Sequence, residues 1–454
     1  MMRVYVLFVC LCVMATAAAS PPVASPGETC RLRASELLAA LRSGAYAQAT
    51  DHFDALVSAK LSASKLEQVW HSMLPAQFGS FVRGADTTVS AHGAGALAET
   101  PLEFTGGWLV LRVSCNDDGT IGGLFFAPGA GPSNANVATP ASANGGALEK
   151  ELALASPLGP LPGTLTLPSG DGVVPAVLLV AGSGPNDRDE SIGPNKPFAD
   201  IARGLAASGI ASLRYDKRTR VYADKMTGGI TVDDEVTDDA VSALKMLVQQ
   251  PRIDAKQVFV LGHSLGALML PRILAREPEV KGGIALAAPA TLDLDIIIRQ
   301  MRYVSGVQHA TPQQIEAGIA PVISARDAIA HADPQHPPPG EFFHAPASYW
   351  LSLRGYDAVA IAPSLRQPLL VLQGGADYQV TPADDFVKWQ HAFAGNGRVT
   401  LKLYPELSHL FMPAGSPPSP ADYAKSAHVD AGVIRDIAAW ITAQAHAKTR
   451  LDVH

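Results

Sequence analysis

The chain has 454 residues, of which 47% are hydrophobic and 17% are charged, and its formal net charge is −7. This composition is typical of a folded globular protein, and the length is sufficient for two domains. The negative charge argues against a nucleic-acid partner, and no run of basic residues indicates an anionic membrane surface.

Residues 1–19 have the pattern of a secretory signal peptide. Arg3 precedes the apolar stretch Val4–Met14, and Ala17–Ala19 fits an A-x-A cleavage site. A short membrane anchor is the alternative, but the apolar stretch is too short to span a bilayer comfortably. No second stretch of membrane-spanning length follows, so we predict no membrane span in the mature protein. We expect an exported protein, either periplasmic or secreted.

Cleavage of that segment would leave two cysteines, Cys30 and Cys115. An even number of cysteines in an exported protein permits a disulfide. We predict that the two are bonded, with two free or buried thiols as the alternative. Neither lies near the chemical motifs described below, so neither is given a catalytic role.

Residues 31–128 combine helical and strand patterns. Apolar residues at helical spacing predict three helices, around Leu37, over Tyr46–Val57 and after Ser64. Two strand-like segments, Trp108–Val113 and Ile121–Phe126, then flank a hairpin signal. Three helices followed by β-hairpins are the build of a cone-shaped NTF2-like α+β domain. Residues 129–150 are rich in Gly, Ala, Ser, Asn and Pro, and we interpret them as a linker.

For residues 151–450 we predict an α/β domain, because predicted strands and helices alternate from Leu161 onward. The predicted strands are apolar enough to be buried on both faces. The predicted strands are Val174–Val180, Ile210–Tyr215, Val258–Leu261, Gly283–Ala287, Leu369–Gln373 and Val399–Tyr404. The predicted helices are Phe198–Ser208, Val236–Gln249, Ala267–Arg276, Ala383–Phe393 and Val433–Ala445. The alternation breaks at about residues 291–363, which we interpret as a cap inserted at the carboxyl edge of the sheet, where ligands bind in such folds.

The segment Gly262–Gly266, with the sequence GHSLG, follows the apolar run Val258–Leu261 and precedes an apolar segment that starts at Ala267. This is the strand, turn and helix setting that a nucleophile elbow requires. The glycines allow close backbone approach around a strained serine, so Ser264 is the candidate nucleophile. An ordinary glycine-rich turn is the alternative. His263, inside the turn, is expected to pack beside the sheet.

A serine nucleophile needs a base, and the base needs an orienting acid. Asp377 follows the strand Leu369–Gln373, on the same side of the sheet as Ser264, although an aspartate capping the next helix is the alternative. His409 lies in the loop after the last strand, and an imidazole that titrates near pH 6.5 can accept and return the serine proton. The order serine, aspartate, histidine is that of α/β-hydrolases. Asp384 and Asp385, inside the next helix, are expected to be solvated.

The oxyanion of an acyl-transfer reaction needs two N–H donors aimed at one point. We predict the N–H of Leu265, which follows the nucleophile, and that of Ser183, in the glycine-rich loop after Val174–Val180. A phosphate-binding loop is the alternative, but neither phosphate-loop motif follows. Charges at Asp187, Arg188 and Asp216–Arg218 are interpreted as a structural ion-pair network rather than substrate contacts.

Five segments carry a resemblance to a known family: Ala181–Asp189, Arg214–Arg218, Gly262–Gly266, Gln373–Asp377 and Leu407–His409. Residues from about 160 to 445 resemble bacterial α/β-hydrolases of the carboxylesterase type, related to the dienelactone-hydrolase and prolyl-oligopeptidase-like groups. The segment 31–128 likewise resembles a small domain that often precedes exported bacterial α/β-hydrolases. Two positions depart from the pattern. Ala181 stands where a histidine often precedes the oxyanion glycine, and the nucleophile is serine where dienelactone hydrolases use cysteine.

Together these patterns predict a serine hydrolase that cleaves a small-molecule carboxylic ester through an acyl-serine intermediate. Ser264, Asp377 and His409 would form the triad, and Ser183 and Leu265 the oxyanion hole. No cofactor or metal is expected, because a triad and two N–H groups suffice for this reaction. A serine peptidase or amidase on the same fold is one alternative, and a non-catalytic binding protein that keeps the fold is the other.

Overall fold

The computed structural model describes residues 25–92, 95–105, 107–128, 147–226 and 229–446. The signal peptide predicted over residues 1–19 lies outside the described residues, as does the 129–146 part of the predicted linker. No helix among the described residues is both long and apolar enough to cross a bilayer.

The chain begins with helices. The first, α1 (Pro26–Ser43), starts with a capping box in which Ser25 and Glu28 satisfy each other's backbone N–H groups. Four short helices follow: α2 (Tyr46–Ala49), α3 (Ala55–Lys60), α4 (Ala63–Gln68) and α5 (Leu74–Phe78). The single helix predicted over Tyr46–Val57 is therefore wrong. Asp54 accepts a hydrogen bond from the N–H of Val57 and so starts a new helix, as aspartates at the N-cap position do.

Five strands form one antiparallel sheet after these helices: β1 (Phe81–Gly84), β2 (Thr88–His92), β3 (Gly95–Phe104), β4 (Gly107–Cys115) and β5 (Ile121–Pro128). The spatial order is β1-β3-β4-β5, with β2 also paired to β3. The predicted hairpin is confirmed, since β4 and β5 are neighbours joined by a turn in which Gly119 donates to the carbonyl of Asn116.

The described chain divides into two compact units. One contains residues 25–68, 86–100 and 111–125, and the other contains residues 69–85, 101–110 and the described residues from 126 onward. The division passes through the first sheet. The sequence boundary at residues 128–151 stays a prediction.

Cys30 and Cys115 are joined in a disulfide, which confirms the predicted pairing. Their Cα atoms are 5.6 Å apart, within the usual range for this bond, and both residues are buried. Cys30 lies on α1 and Cys115 ends β4, so the bond ties the first helix to the sheet across a sequence separation of 85 residues.

The second sheet and the segment inserted into it contain ten further strands: β6 (Leu148–Leu154), β7 (Leu161–Leu167), β8 (Val174–Val180), β9 (Ala211–Tyr215), β10 (Ile253–His263), β11 (Gly282–Leu286), β12 (Glu341–Phe342), β13 (Ala345–Pro346), β14 (Leu369–Gly374) and β15 (Val399–Tyr404). All except the small pair β12 and β13 form one eight-stranded sheet in the order β15-β14-β11-β10-β8-β9-β7-β6. The central pairs are parallel, and β7 is antiparallel to both of its neighbours. The predicted mostly parallel α/β sheet is confirmed.

The sequence missed the two strands at one edge of this sheet. Residues 148–150, assigned to the linker, belong to β6, which is mostly exposed and contains three consecutive charged residues. An edge position tolerates such a strand, because one side of it needs no pairing. In β7, which is paired on both sides, Pro162 and Gly163 are residues that strands disfavour.

The described residues of this part of the chain contain ten α-helices, besides short 3-10 and π helices: α6 (Pro197–Ala207), α7 (Arg218–Val221), α8 (Asp238–Leu247), α9 (Leu265–Arg276), α10 (Leu294–Val307), α11 (Pro312–His331), α12 (Ala347–Leu353), α13 (Ala358–Ile361), α14 (Val387–Ala392) and α15 (Ala431–His446). Helices cover both faces of the sheet. In β10, Val258 and Val260 pack into the core with α8 and α9, whereas Phe259 and Leu261 pack into the core with α6 and α15.

The insertion predicted at about residues 291–363 comprises α10–α13 and the hairpin β12–β13, between β11 and β14. Its α12 is tied to the connection between β9 and α8, where Ser348 Oγ donates to the carbonyl of Ile230 at 2.7 Å. Its α10 reaches the loop after β14, where Gln300 Nε2 donates to the carbonyl of Gln379 at 3.0 Å. The insertion therefore lies at the carboxyl edge of the parallel strands.

The disulfide predicts a specific thiol count and a specific loss of stability. The mature, unreduced, denatured protein should show no reactive thiol in a titration, and two after reduction. Replacing both residues, as in C30S/C115S, should lower the free energy of unfolding by up to about 4 kcal/mol, because a long loop in the unfolded chain is no longer closed. Two reactive thiols per unreduced chain would contradict the bond.

Candidate active site

The turn after β10 holds Ser264 in a strained backbone conformation. Its φ is 52° and its ψ is −114°, a region that residues with a side chain rarely adopt. The N–H of Ser264 donates to the carbonyl of Leu286 on β11, and its carbonyl accepts from the N–H of Leu268 in α9, both at 2.9 Å. These bonds fix the serine between a strand and a helix, with its side chain partly exposed.

The two glycines of the turn are required by backbone contact. A Cβ atom on Gly262 would lie 2.2 Å from the carbonyl oxygen of Gly266, and a Cβ on Gly266 would lie 2.1 Å from the carbonyl oxygen of Val180. Neither distance is possible for real atoms, so only glycine fits at either position. The structure thus has the close strand-to-helix crossing that the GHSLG sequence predicts.

Asp377 and His409 form a buried acid–imidazole pair. His409 Nδ1 lies 2.7 Å from Asp377 Oδ2, and the side chains are 6% and 0% exposed. Asp377 also accepts from the backbone N–H groups of Gln379 at 2.8 Å and Val380 at 3.0 Å. A carboxylate only accepts hydrogen bonds, so Nδ1 carries the proton and Nε2 is left as the acceptor that a general base needs.

The His409 loop lies against the elbow. The ring centroids of His409 and His263 are 4.7 Å apart, and His263 Nε2 is 3.0 Å from the His409 carbonyl oxygen. Because His263 is the residue before Ser264, this contact places the predicted base beside the turn that carries the predicted nucleophile.

The glycine-rich loop after β8 passes directly beside the nucleophile, since a Cβ on Gly182 would lie 3.2 Å from Ser264 Cβ. Two buried carboxylates occupy the N–H groups on either side of Ser183. Gly182 N donates to Glu190 Oε1 at 2.6 Å, and Gly184 N donates to Glu235 Oε1 at 2.9 Å. Within the described residues, the N–H of Ser183 has no acceptor.

Leu265 is the other predicted oxyanion donor, and it is the first residue of α9. The first N–H groups of a helix have no partner within the helix, and they carry a partial positive charge. Among the described residues, no acceptor outside α9 is recorded for this N–H. It is therefore available to a bound oxyanion.

The backbone carbonyl groups of the same glycine-rich loop also accept hydrogen bonds. Lys217 Nζ donates to the carbonyl of Gly182 at 2.7 Å and to Glu235 Oε1 at 2.5 Å. Asn186 Nδ2 donates to the carbonyls of Gly182 and Ser183, each at 3.0 Å. Lys217 and Glu235 are both buried, so they act as a paired charge in the interior. From the sequence, Lys217 is assigned only to an ion-pair network, and Glu235 is not singled out.

Tyr349, a residue of the insertion, interacts with Glu235, the carboxylate that binds the Gly184 N–H. The Tyr349 side chain is buried, and its hydroxyl is hydrogen-bonded to Glu235. Burial, together with the charge of Glu235 and this hydrogen bond, raises the pKa of Tyr349 well above its usual value. A cap residue therefore contacts the carboxylate that holds Gly184.

His263 is buried, as predicted, but it also has a specific partner that the sequence did not indicate. Its Nδ1 lies 2.9 Å from Glu190 Oε1, and both side chains are buried. Burial lowers the pKa of His263, but the charge and hydrogen bond of Glu190 outweigh this effect, and the net direction is upward. No sequence signal links Glu190 to the elbow, because 73 residues separate the pair.

Four of the charges near the sheet edge form ion pairs within the protein, which agrees with the structural interpretation. Arg188 binds Asp216 through two nitrogens, at 3.0 and 3.1 Å. Arg218 makes a similar two-point contact with Asp239, at 2.6 and 3.0 Å. Asp187 accepts from the N–H of Ser191 at 2.9 Å.

The prediction that Asp384 and Asp385 are both solvated is wrong for Asp385. Asp384 is half-exposed, as expected, but Asp385 is 1% exposed rather than solvated. It accepts from the N–H of Ala290 at 3.2 Å and from Arg299 Nη2 at 2.8 Å. Burial raises the pKa of Asp385 despite these partners. The helical pattern places both aspartates in one turn but does not show that the cap covers one of them.

A cavity of about 530 Å³ lies within the insertion, lined by residues that include Leu292, Arg326, Ile329, Trp350 and Tyr356. Its lining contains none of the predicted triad or oxyanion residues. It is therefore separate from the place where Ser264 would meet a substrate.

No metal centre is evident in the described part of the chain, where no group of three or more His, Cys, Asp or Glu side chains is placed to hold an ion. The two imidazoles nearest the elbow, His263 and His409, each face a carboxylate through Nδ1. The chemistry that these groups offer is proton transfer and hydrogen bonding.

Two family models match separate parts of the chain. Residues 195–413 match the Hydrolase_4 family, described as serine aminopeptidase, S33. Residues 34–124 match a family described as a protein of unknown function, DUF3887. The N-terminal match is separate from the hydrolase match and falls inside the segment predicted as NTF2-like.

The chain is 36% identical over 390 residues to esterase EstD of Thermotoga maritima, a match that covers 85% of this chain and 89% of that protein. Among solved structures, Est1E from Butyrivibrio proteoclasticus is 14% identical with a TM-score of 0.43, covering 65% of this chain and 99% of that one. The esterase domain of a Rhodothermus marinus protein is 18% identical with a TM-score of 0.40, covering 66% and 98%. On the extent and identity of the EstD match, the chain belongs to the serine hydrolase family that includes esterase EstD.

Proposed function

We propose that the protein hydrolyses small carboxylic esters, with Ser264 as nucleophile, His409 as general base and acid, and Asp377 as the orienting carboxylate. The observation that carries the proposal is a strained serine elbow whose preceding residue, His263, packs against the histidine of the buried Asp377–His409 pair. The similarity to an esterase across most of the chain supports the ester as the substrate class.

The proposed reaction has the steps of other serine triads. His409 Nε2 takes the hydroxyl proton of Ser264 as the serine oxygen attacks the ester carbonyl. The N–H groups of Ser183 and Leu265 stabilise the negative charge that forms on the carbonyl oxygen. His409 then returns the proton to the departing alkoxide, and a water molecule repeats these steps on the acyl-serine. Asp377 stays ionised throughout and stabilises the transient imidazolium.

The triad variants test the proposal. Ser264→Ala should abolish labelling by a fluorophosphonate probe and lower kcat for a p-nitrophenyl ester by several orders of magnitude. Asp377→Asn should lower kcat by about 10⁴-fold, because an amide favours the wrong imidazole tautomer. Steady-state kinetics on purified variants would measure both effects.

Asp384→Asn is the matched control for Asp377→Asn, since it makes the same change on a half-exposed carboxylate of the next helix. It should leave kcat nearly unchanged. Near-wild-type hydrolysis by Ser264→Ala would contradict the proposal and would favour the non-catalytic binding protein.

A serine amidase or aminopeptidase is the second candidate, because the family matched by residues 195–413 is described as a serine aminopeptidase. An aminopeptidase must bind the α-ammonium group of its substrate, usually with a carboxylate. The carboxylates near the elbow, Asp377, Glu190 and Glu235, are all buried and bonded to protein groups. This arrangement favours the ester.

Paired substrates would distinguish the two candidates. For p-nitrophenyl acetate and aminoacyl p-nitroanilides, kcat/KM should be high for the ester and near the background rate for the anilides. Ser264→Ala, measured beside the wild type, shows which activity belongs to this site. Anilide hydrolysis that matches ester hydrolysis and is lost in Ser264→Ala would assign the protein as an aminopeptidase.

We also propose that the protein is exported, to the periplasm or the medium, with residues 1–19 as the signal peptide. The pairing of Cys30 with Cys115 supports this proposal, since disulfides persist in oxidising compartments. When the full chain is produced in a Gram-negative host, intact-mass analysis of the periplasmic fraction should find a chain that begins at Ser20. Recovery of only the uncleaved chain from the cytoplasm would contradict export.

A further inference from the structure

Glu190 and His263 form a second buried acid–imidazole pair that the proposed reaction does not use. Glu190 Oε1 accepts from Gly182 N at 2.6 Å and faces His263 Nδ1 at 2.9 Å. The Glu190 and His263 residues are 1% and 4% exposed. The carboxyl group thus contacts both the glycine-rich loop and the elbow.

The other ring nitrogen of His263 extends the contact to a third segment. A carbonyl oxygen only accepts hydrogen bonds, so Nε2 donates to the carbonyl of His409 across 3.0 Å. The pair therefore joins Gly182, the residue before Ser264, and the backbone of His409. These segments are far apart in sequence, since 146 residues separate His263 from His409.

The hydrogen bonds of the Glu190–His263 pair determine how many protons the pair carries. Because Nε2 gives its hydrogen to the His409 carbonyl, a second proton must lie between Nδ1 and Glu190 Oε1. The other carboxyl oxygen, Oε2, is buried without a hydrogen-bond partner in the described structure. All the hydrogen bonds of the Glu190 carboxyl group are thus made to Gly182 and His263.

Glu190 is held in an unfavourable backbone conformation. Its φ is 52°, in the left-handed region, and its N–H donates to the carbonyl of Asp187 at 3.0 Å. Such conformations are strained and persist only where the surroundings enforce them. The strain and the orphan oxygen together indicate that this carboxyl group is kept here for its position.

We propose that Glu190 and His263 form a positioning bridge that sets the Ser183 N–H and the His409 imidazole relative to Ser264. By occupying Gly182 N, Glu190 excludes that N–H from the oxyanion hole and leaves the N–H of Ser183 to face the substrate. By binding the His409 carbonyl, His263 fixes the backbone from which the base projects. The inference rests on the proposed function, because the bridge aligns the groups of that reaction.

The effect should appear in kcat. Glu190→Ala and His263→Ala should each lower kcat for a p-nitrophenyl ester by about 10–100-fold with little change in KM, because a misplacement of about 1 Å in catalytic geometry has an effect of this size. His263→Gln should recover part of the loss, since its amide can still donate to the His409 carbonyl. Because the two residues act as one unit, the double Ala variant should lose little more than the more impaired single variant.

His428→Gln is the matched control. His428 Nδ1 lies 3.1 Å from Asp200 Oδ1, so the variant removes a comparable imidazole–carboxylate contact, from an exposed histidine outside the site. It should keep wild-type kcat. Rates are expressed per active site titrated with a fluorophosphonate, which corrects for any unfolded fraction.

Each outcome supports or contradicts the proposed function or the positioning bridge. Wild-type turnover by Ser264→Ala would remove the proposed function and the bridge with it. If Ser264→Ala is inactive but the bridge variants keep wild-type kcat per titrated site, the bridge is wrong and the proposed function stands. Multiplying losses in the double variant, or losses confined to KM or to the titrated fraction, would likewise contradict a positioning role.

Discussion

The backbone of Ser264 is the constraint around which the site is built. A residue with a side chain held at φ 52° stores of order 1–3 kcal/mol of strain, which the surrounding structure must offset. Here β11 and α9 each make a backbone bond to the serine, and Gly266 passes so close to Val180 that no side chain fits. The strand and the helix thus hold the backbone of the proposed nucleophile in place.

Buried charged side chains bind the backbone of the loop that lies beside this serine. The loop that carries Ser183 has its neighbouring N–H groups occupied by Glu190 and Glu235. Each carboxyl group also has a second buried partner, His263 for one and Lys217 for the other. Isolated charges are costly in a protein interior, and pairing with good geometry offsets much of that cost. Within the described residues this arrangement leaves the Ser183 N–H without an acceptor, as the proposed oxyanion hole requires.

What the sequence could and could not predict follows from the range of each interaction. Ser264, Asp377 and His409 carry local signals, because each follows a predicted strand or its loop at one edge of the sheet. The fold class and the hairpin of the first sheet were likewise predictable from apolar periodicity and turn residues.

Other features depend on contacts that no local pattern encodes. Glu190 and Glu235 are polar residues in ordinary-looking segments, and their roles arise from partners in distant segments. The burial of Asp385 depends on Arg299 in the inserted helix α10. The edge strand β6 is mostly exposed, and its neighbour β7 contains Pro162 and Gly163, so neither has the continuous apolar run that marks the central strands in the sequence.

A crystal structure of the protein phosphonylated on its nucleophile would test the account most directly, because the phosphonyl oxygen stands in for the oxyanion of the ester reaction. The account predicts phosphorus bonded to Ser264 Oγ and the phosphonyl oxygen within about 2.7–3.1 Å of both the Ser183 and Leu265 nitrogens. Gly182 N should remain bonded to Glu190. A phosphonyl group on another residue, or an oxygen bound by Gly182 N in place of Ser183 N, would contradict it.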